Sequence, residues 1–251
     1  MGGRRYLILP FCAWFLLFFL GPFGLLISIS FSGANPVDAY KELFHSSYTP
    51  MFARTLLFSF FHSFLTILLA LPIAFYLSRL DRNRAGKYLT LLLIPFWTNF
   101  LIRLLSFQDV LRLEPFGITW TFTFHGIVAA MIYNGLPFAV LPLYVAMEKI
   151  PNSILEAAQD LGAKKRQVIL EVLYPILKWP LIATGLLVFI PALGEFLVPE
   201  IIGGGQSYFL GTFLQRQFLV SQNWPLGAAA IALILCFSLL LLWTLSKVVE
   251  E

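Results

Sequence analysis

Six apolar runs, each about long enough to cross a lipid bilayer, decide what this 251-residue chain can fold into. They extend from about Tyr6 to Phe31, Thr55 to Leu77, Tyr88 to Leu105, Gly126 to Met147, Trp179 to Ile202 and Leu226 to Val249. A helix needs roughly 20 such residues to span a hydrocarbon core about 30 Å thick. The runs are continuously apolar, whereas a barrel strand alternates lipid-facing and lumen-facing positions. The chain is 59% hydrophobic and 12% charged, against about 25% charged residues in soluble domains. The expected fold is an all-α membrane protein with six transmembrane helices, forming one domain over residues 1–251.

The first run follows a basic start, Arg4 and Arg5, but it is too long for a signal peptide and lacks a small-residue cleavage site. It is read as a retained helix. Cys12 and Cys236 both fall inside runs, so they are expected to pack as small apolar residues, not to form a disulfide framework. Six spans leave both termini on one side. Twelve of the 17 Lys and Arg residues fall there: Arg4, Arg5, Arg79, Arg82, Arg84, Lys87, Lys149, Lys164, Lys165, Arg166, Lys178 and Lys247. Lys41, Arg54, Arg103, Arg112 and Arg216 fall on or near the opposite loops. Cytoplasmic retention of positive loops then puts both termini inside the cell. The net charge of +4 reports topology, and no aromatic-studded basic groove for nucleic acid accompanies it.

Between the fourth and fifth runs lies a polar stretch of about 30 residues, Glu148 to Lys178, longer than a helix connection requires. Ser153 and Glu156 have capping-box spacing, so a short helix is expected to start there. It would carry Ile154, Leu155, Ala158 and Leu161 on one side and end at Gly162 in a left-handed turn. A second amphipathic piece over about Lys164 to Leu173 is expected to end before Pro175. Together they predict a helix-turn-helix finger.

The segment Glu156-Ala157-Ala158, three residues, Gly162, nine residues, Val172, one residue, Tyr174-Pro175 resembles the EAA signature of permeases from ATP-binding cassette importers. Val172 stands where that pattern has Ile, and Tyr174 where it has Leu. The resemblance implies that the finger is a cytoplasmic coupling element docking into a groove of an ATPase subunit, with Glu156, Ala157, Ala158, Asp160, Gly162 and Pro175 as its residues. Helix-in-groove docking suits the small Ala157 and Ala158. On purely local grounds, Glu156 also reads as a capping residue and Gly162 as a helix stop. Three further segments are similar to polyamine importer permeases of the spermidine and putrescine type: Leu93–Asn99, Gly135–Tyr144 and Phe189–Phe196, together with the outer loop from Gly203 to Pro225. Permeases for other small solutes share much of this.

Of the 13 acidic residues, Glu195 is expected to be the one deep in a span, while Glu200 lies close to the outer interface. A charge in hydrocarbon is costly, so Glu195 is expected either to face a polar path for a cationic solute or to pair with Arg103 or a partner chain. Trp97, Tyr133 and Tyr144 are candidate aromatic faces for such a cation, or simply packing residues. With Asn99 and Glu195 they make up the expected substrate pathway. Seven prolines (Pro10, Pro22, Pro72, Pro95, Pro137, Pro142 and Pro191) interrupt the runs, as is common in membrane helices. His45, His62 and His125 have no second ligand at metal spacing, and no nucleophile-base pair marks an enzyme.

No G-x-x-x-x-G-K-[ST] loop is present to cradle ATP phosphates. The resemblance therefore implies that ATP and Mg are bound by partners: two ATP-binding cassette subunits, beside a second, related permease chain and an extracytoplasmic solute-binding protein. It implies a location in the bacterial cytoplasmic (inner) membrane and a cycle in which ATP-driven closure of the ATPases favours an outward-open state. An ion-driven secondary transporter is the competing reading. It predicts several intramembrane ionisable groups or broken-helix repeats, and the sequence offers one deep carboxylate and no convincing repeat.

Overall fold

Every regular element among the described residues is a helix, as lipid demands when each backbone amide must be satisfied within its own segment. The computed structural model describes residues 10–33, 35–45, 48–205 and 208–250. Arg4, Arg5, Tyr6 and Glu251 lie outside them. In chain order the helices are α1 (Pro10–Ser30), α2 (Asp38–Leu43), α3 (Thr49–Ser78), α4 (Arg82–Leu93), α5 (Phe100–Arg112), α6 (Phe124–Glu148), α7 (Asn152–Asp160), α8 (Lys165–Leu193), α9 (Leu197–Ile201), α10 (Leu210–Leu219) and α11 (Trp224–Glu250). By length and composition α1, α3, α6, α8 and α11 are each able to cross a membrane.

The third run differs from expectation. It is not one straight helix: α4 continues through a 3-10 turn (Ile94–Trp97) and meets α5 at a bend of 98°. Counted as one span, the pair raises the number of membrane-crossing segments to six. The bend has a local cause. Pro95 has no amide to donate, which weakens the helix where the 3-10 turn begins. The Asn99 side chain then accepts from the Leu101 amide at 2.9 Å and starts a new helix. Pro72, Pro137, Pro142 and Pro191 sit inside helices that continue past them.

The fifth run also differs. α8 begins inside the polar loop at Lys165 and ends at Leu193, so Gly194, Glu195 and Phe196 form a break before the short α9. The sequence predicts a separate helix that ends before Pro175, but the helix runs on through that residue. A π-helical segment, Val168–Leu173, precedes it. Such wide turns loosen the backbone where a proline ring would otherwise crowd the preceding turn.

The chain divides into two units. In the first, residues 1–53 and 213–251, α11 packs against the Gly21–Ser30 half of α1 and against α2. Ser30 and Tyr40 share a 2.8 Å hydrogen bond there. The most apolar stretch of α1 has no buried side chain.

The second unit, residues 54–212, has two cores. One joins Ala70, Ala74 and Leu77 of α3 to Ala139, Leu143 and Met147 of α6 and Leu173 and Leu177 of α8. Small residues on α3 and α6 let the backbones approach, which is how helices associate when lipid offers no hydrophobic drive. The other gathers Leu104 and Leu111 of α5, Ile127 and Met131 of α6, and Val198 of α9. The Gln108 side chain donates to the Ile201 carbonyl at 2.8 Å, fastening α9 to α5. Gly211 lies so close to the α8–α9 break that a Cβ would fall 2.4 Å from the Glu195 carbonyl oxygen.

Candidate functional site

The loop between α6 and α8 holds Glu156, Ala157, Ala158, Asp160 and Gly162, five of the six predicted coupling residues, whereas Pro175 lies within α8. α7 starts at Asn152 after extended Pro151, and no side chain caps it. The expected capping box is therefore absent: the helix begins two residues too early for Ser153 to serve as its cap, and Glu156 is exposed and in no ion pair among the described residues. The predicted stop is present. Gly162 adopts φ +84°; its amide donates to the Gln159 carbonyl at 2.8 Å, and the Ala163 amide to the Ala158 carbonyl at 3.0 Å. These two bonds form a Schellman ending.

The predicted apolar side of α7 splits. Leu155 and Ala158 are half-buried, with Leu155 packed on the α3–α6–α8 core. Ile154 is exposed, and Leu161, just past the helix, is 89% exposed. Ala157, Asp160 and Pro175 are also exposed. An apolar residue held open beside a helix stop is an unfilled contact. Beneath α7 lies an apolar cavity of about 570 Å³, bounded by Leu71, Phe75, Met147, Leu155, Val168 and Leu177.

One residue that the sequence reading leaves among the topology-marking cations ties this loop to the spans. Arg79, directly after α3, donates to the Met147 carbonyl at 3.2 Å, to the Ile150 carbonyl at 3.0 Å and to the Asn152 side chain. Its guanidinium also lies 5.2 Å from the Phe75 ring centroid. A rigid fork of donors suits three acceptors at once. Burial lowers the guanidinium's pKa from its ordinary value. Arg79 thus joins the ends of α3 and α6 to the start of α7.

The residues expected along a substrate path are divided among the α4–α5 break, the core and the α8–α9 break. Trp97, 83% exposed, and Asn99 lie at the α4–α5 break, where Asn99 caps α5. Tyr133 on α6 stacks on Phe107 of α5 with ring centroids 4.9 Å apart and lies 6.2 Å from Phe96. Tyr144, 8% exposed, is part of the core. Glu195 lies in the α8–α9 break, not within a continuous helix, and its Oε1 accepts from the Leu197 amide at 2.9 Å and the Val198 amide at 3.2 Å. It satisfies the first amides of α9, where a negative charge is favoured.

The expected alternative partner, Arg103, is engaged elsewhere. It donates to the Pro95 carbonyl and to Asn134 Oδ1, each at 3.2 Å, and its guanidinium carbon stands 4.0 Å from the Phe96 ring centroid. An arginine four residues after a helix-capping asparagine in an apolar segment is the signal that points to it.

α7 is thus an exposed helix-turn element between two membrane-length helices in a chain whose described elements are all helical. Residues 46–248 match the family described as binding-protein-dependent transport system inner membrane component. The chain belongs to this family. The permease is 33% identical to the spermidine/putrescine transport system permease protein PotB of Haemophilus influenzae, over 91% of this chain and 88% of that protein. To the protein of the same name from Escherichia coli K12 the identity is 31%, over 98% of both chains. In fold, the permease is similar to a chain of the bacterial alginate ABC transporter solved in complex with its alginate pentasaccharide-bound periplasmic protein. The TM-score is 0.70 with 16% identity, over 94% of this chain and 90% of that one. It is an inner-membrane permease of an ABC importer.

Proposed function

We propose that the chain forms one six-span permease domain that carries a polyamine, spermidine or putrescine, into the cytoplasm. The observation that carries the solute is the likeness to two spermidine/putrescine permeases along more than nine-tenths of the chain. Both termini and the loop 148–178 face the cytoplasm in this reading, in keeping with the distribution of Lys and Arg. The chain pairs with a second, related permease subunit. Two ATPase subunits bind ATP and Mg beneath the pair, and an extracytoplasmic binding protein delivers the solute.

In this account α7 is the coupling lever. Leu161, Ile154 and Ala157 offer an exposed apolar edge to a groove in the ATPase. Arg79 carries displacement of α7 to the ends of α3 and α6 through its hydrogen bonds. The cavity beneath α7 leaves room for that displacement. Closure of the ATPases on ATP biases the spans toward the outward-open state, and hydrolysis lets them return.

The test is reconstitution of the permease with its partner subunits in vesicles, with binding protein outside and ATP inside. Radiolabelled spermidine is expected to accumulate in an ATP-dependent manner. Accumulation of another small solute, with none of spermidine or putrescine, would refute the solute assignment.

A further inference from the structure

At the α4–α5 break the protein holds the Arg103 guanidinium among aromatic rings and neutral acceptors. The Arg103 guanidinium carbon lies 4.0 Å from the centroid of Phe96 and 5.5 Å from that of Phe100. Its two terminal nitrogens donate to neutral acceptors, the Pro95 carbonyl and Asn134 Oδ1. Asn134 is oriented for this, because its amide nitrogen donates to the Ala130 carbonyl at 2.9 Å and so turns its oxygen toward the arginine. Among the described residues no carboxylate pairs with Arg103. Arg103 Nε is buried without a partner.

Aromatic ring faces attract alkylammonium and guanidinium groups, and here they stand beside an amide oxygen and the Pro95 carbonyl, which Arg103 shares with the Thr98 hydroxyl at 2.6 Å. Two neutral oxygens without a carboxylate, thiolate or imidazole are a poor ligand set for a transition metal ion. Arg103 therefore fills the kind of cage that a diffusing amine would fill. The cage lies at a 98° break between two apolar helices, flanked by Trp97 at 83% and Phe138 at 55% exposure. Phe138 is 6.2 Å from Phe96. Broken helices in membranes turn backbone carbonyls toward a path that they line.

We propose that Phe96, Phe100, Asn134 and the Pro95 carbonyl form a transit site for the ammonium end of a linear aliphatic amine, with Arg103 as its built-in occupant when no amine is present. Exchange of one cation for another leaves the same acceptors satisfied. The amine enters without a deep well and leaves as the guanidinium returns, which meets the requirement that a conducting site bind only weakly. This inference rests on the reading of the chain as an amine permease, and it makes Arg103 a competitor of the solute.

Competition has a signature that a packing role does not, because removing the competitor and removing the cage act in opposite directions. In the assembled transporter in nanodiscs without binding protein, binding of radiolabelled spermidine is expected to tighten about fivefold in Arg103→Gln and to weaken about fivefold in Phe96→Leu. Phe96→Tyr restores wild-type binding, and Arg103→Lys, which keeps an internal cation, stays near wild type. If Arg103→Gln does not assemble, Arg103→Met, which also removes the internal cation, takes its place, and weaker spermidine binding in it than in the wild type overturns the cage. Equal binding in all variants, or weakening in both Phe96→Leu and Arg103→Gln, overturns the cage. So does tighter sulfate binding in the wild type than in Arg103→Gln, with amine binding unmoved. Wild-type spermidine uptake with no effect of any variant on binding removes the cage and leaves the solute reading standing. Absence of spermidine uptake, with n-butylammonium binding still shifted in opposite directions by the two variants, removes the solute reading and leaves the cage.

Discussion

Substitution of Gly162 separates the lever's backbone geometry from every other property of the loop. Gly162 sits at φ +84° with open space where a Cβ would project, so alanine meets no clash and its whole cost is the left-handed conformation, about 1–2 kcal/mol for an L-residue. Both hydrogen bonds of the Schellman ending remain available to alanine, since its amide is kept. Asparagine tolerates this conformation and should cost less. Proline cannot reach a positive φ and has no amide for Gln159, so it loses the turn altogether, at about 3 kcal/mol or more. A deficit of 1–2 kcal/mol corresponds to roughly a 5- to 30-fold change in the population with the turn closed. Uptake per ATP hydrolysed in reconstituted vesicles should therefore fall in the order Gly, Asn, Ala, Pro, with membrane insertion unchanged throughout. Full coupling in Gly162→Pro would refute the reasoning, and so would indistinguishable Ala and Pro variants.

Glu156→Lys, at an exposed residue without an ion pair, should abolish ATP-coupled uptake while leaving the thermal unfolding midpoint of the permease unchanged, as differential scanning fluorimetry would show. Arg79→Lys replaces a fork by a single ammonium and leaves the Ile150 carbonyl short of a donor, while the Met147 carbonyl keeps the Ile150 amide at 3.1 Å; at about 1–3 kcal/mol for an unmet buried group, limited proteolysis within residues 148–178 should speed up and coupling should fall. Glu195→Gln retains an oxygen for the Leu197 and Val198 amides, so the fold should persist while uptake of a cationic solute weakens. Unchanged uptake kinetics would assign that carboxylate to capping alone.

The helical class and the approximate spans are legible because continuous apolar runs of bilayer length leave the backbone few alternatives. Gly162 is legible for a similar reason: a glycine following an amphipathic stretch announces a left-handed stop. Starts and breaks are harder. The predicted cap at Ser153 fails because extended Pro151 launches α7 two residues sooner. Pro95 is visible in the sequence, yet whether a proline bends a helix or sits within it depends on its C-terminal neighbours, and here Asn99 restarts the chain in a new direction. Glu195 looks like a buried charge in an apolar run because the five-residue α9 that it caps is hidden in the same hydrophobicity. Tyr144 shares its residue type with Tyr133, but only tertiary packing puts one in a core and the other against Phe107. Arg79 is the least legible of all. Its acceptors are main-chain carbonyls and one amide 68–73 residues away, and no residue pattern encodes them.

The lever claim stands or falls on which side of the membrane α7 occupies and what it touches. Leu161→Cys, in a chain whose Cys12 and Cys236 are replaced by alanine, provides a single reporter at the most exposed apolar position beside α7. A membrane-impermeant maleimide should label it in inverted vesicles stripped of the ATPase, fail to label it in intact cells, and be blocked when purified ATPase subunits are added back. Labelling from outside intact cells, or labelling in stripped vesicles that added ATPase does not block, would contradict the account.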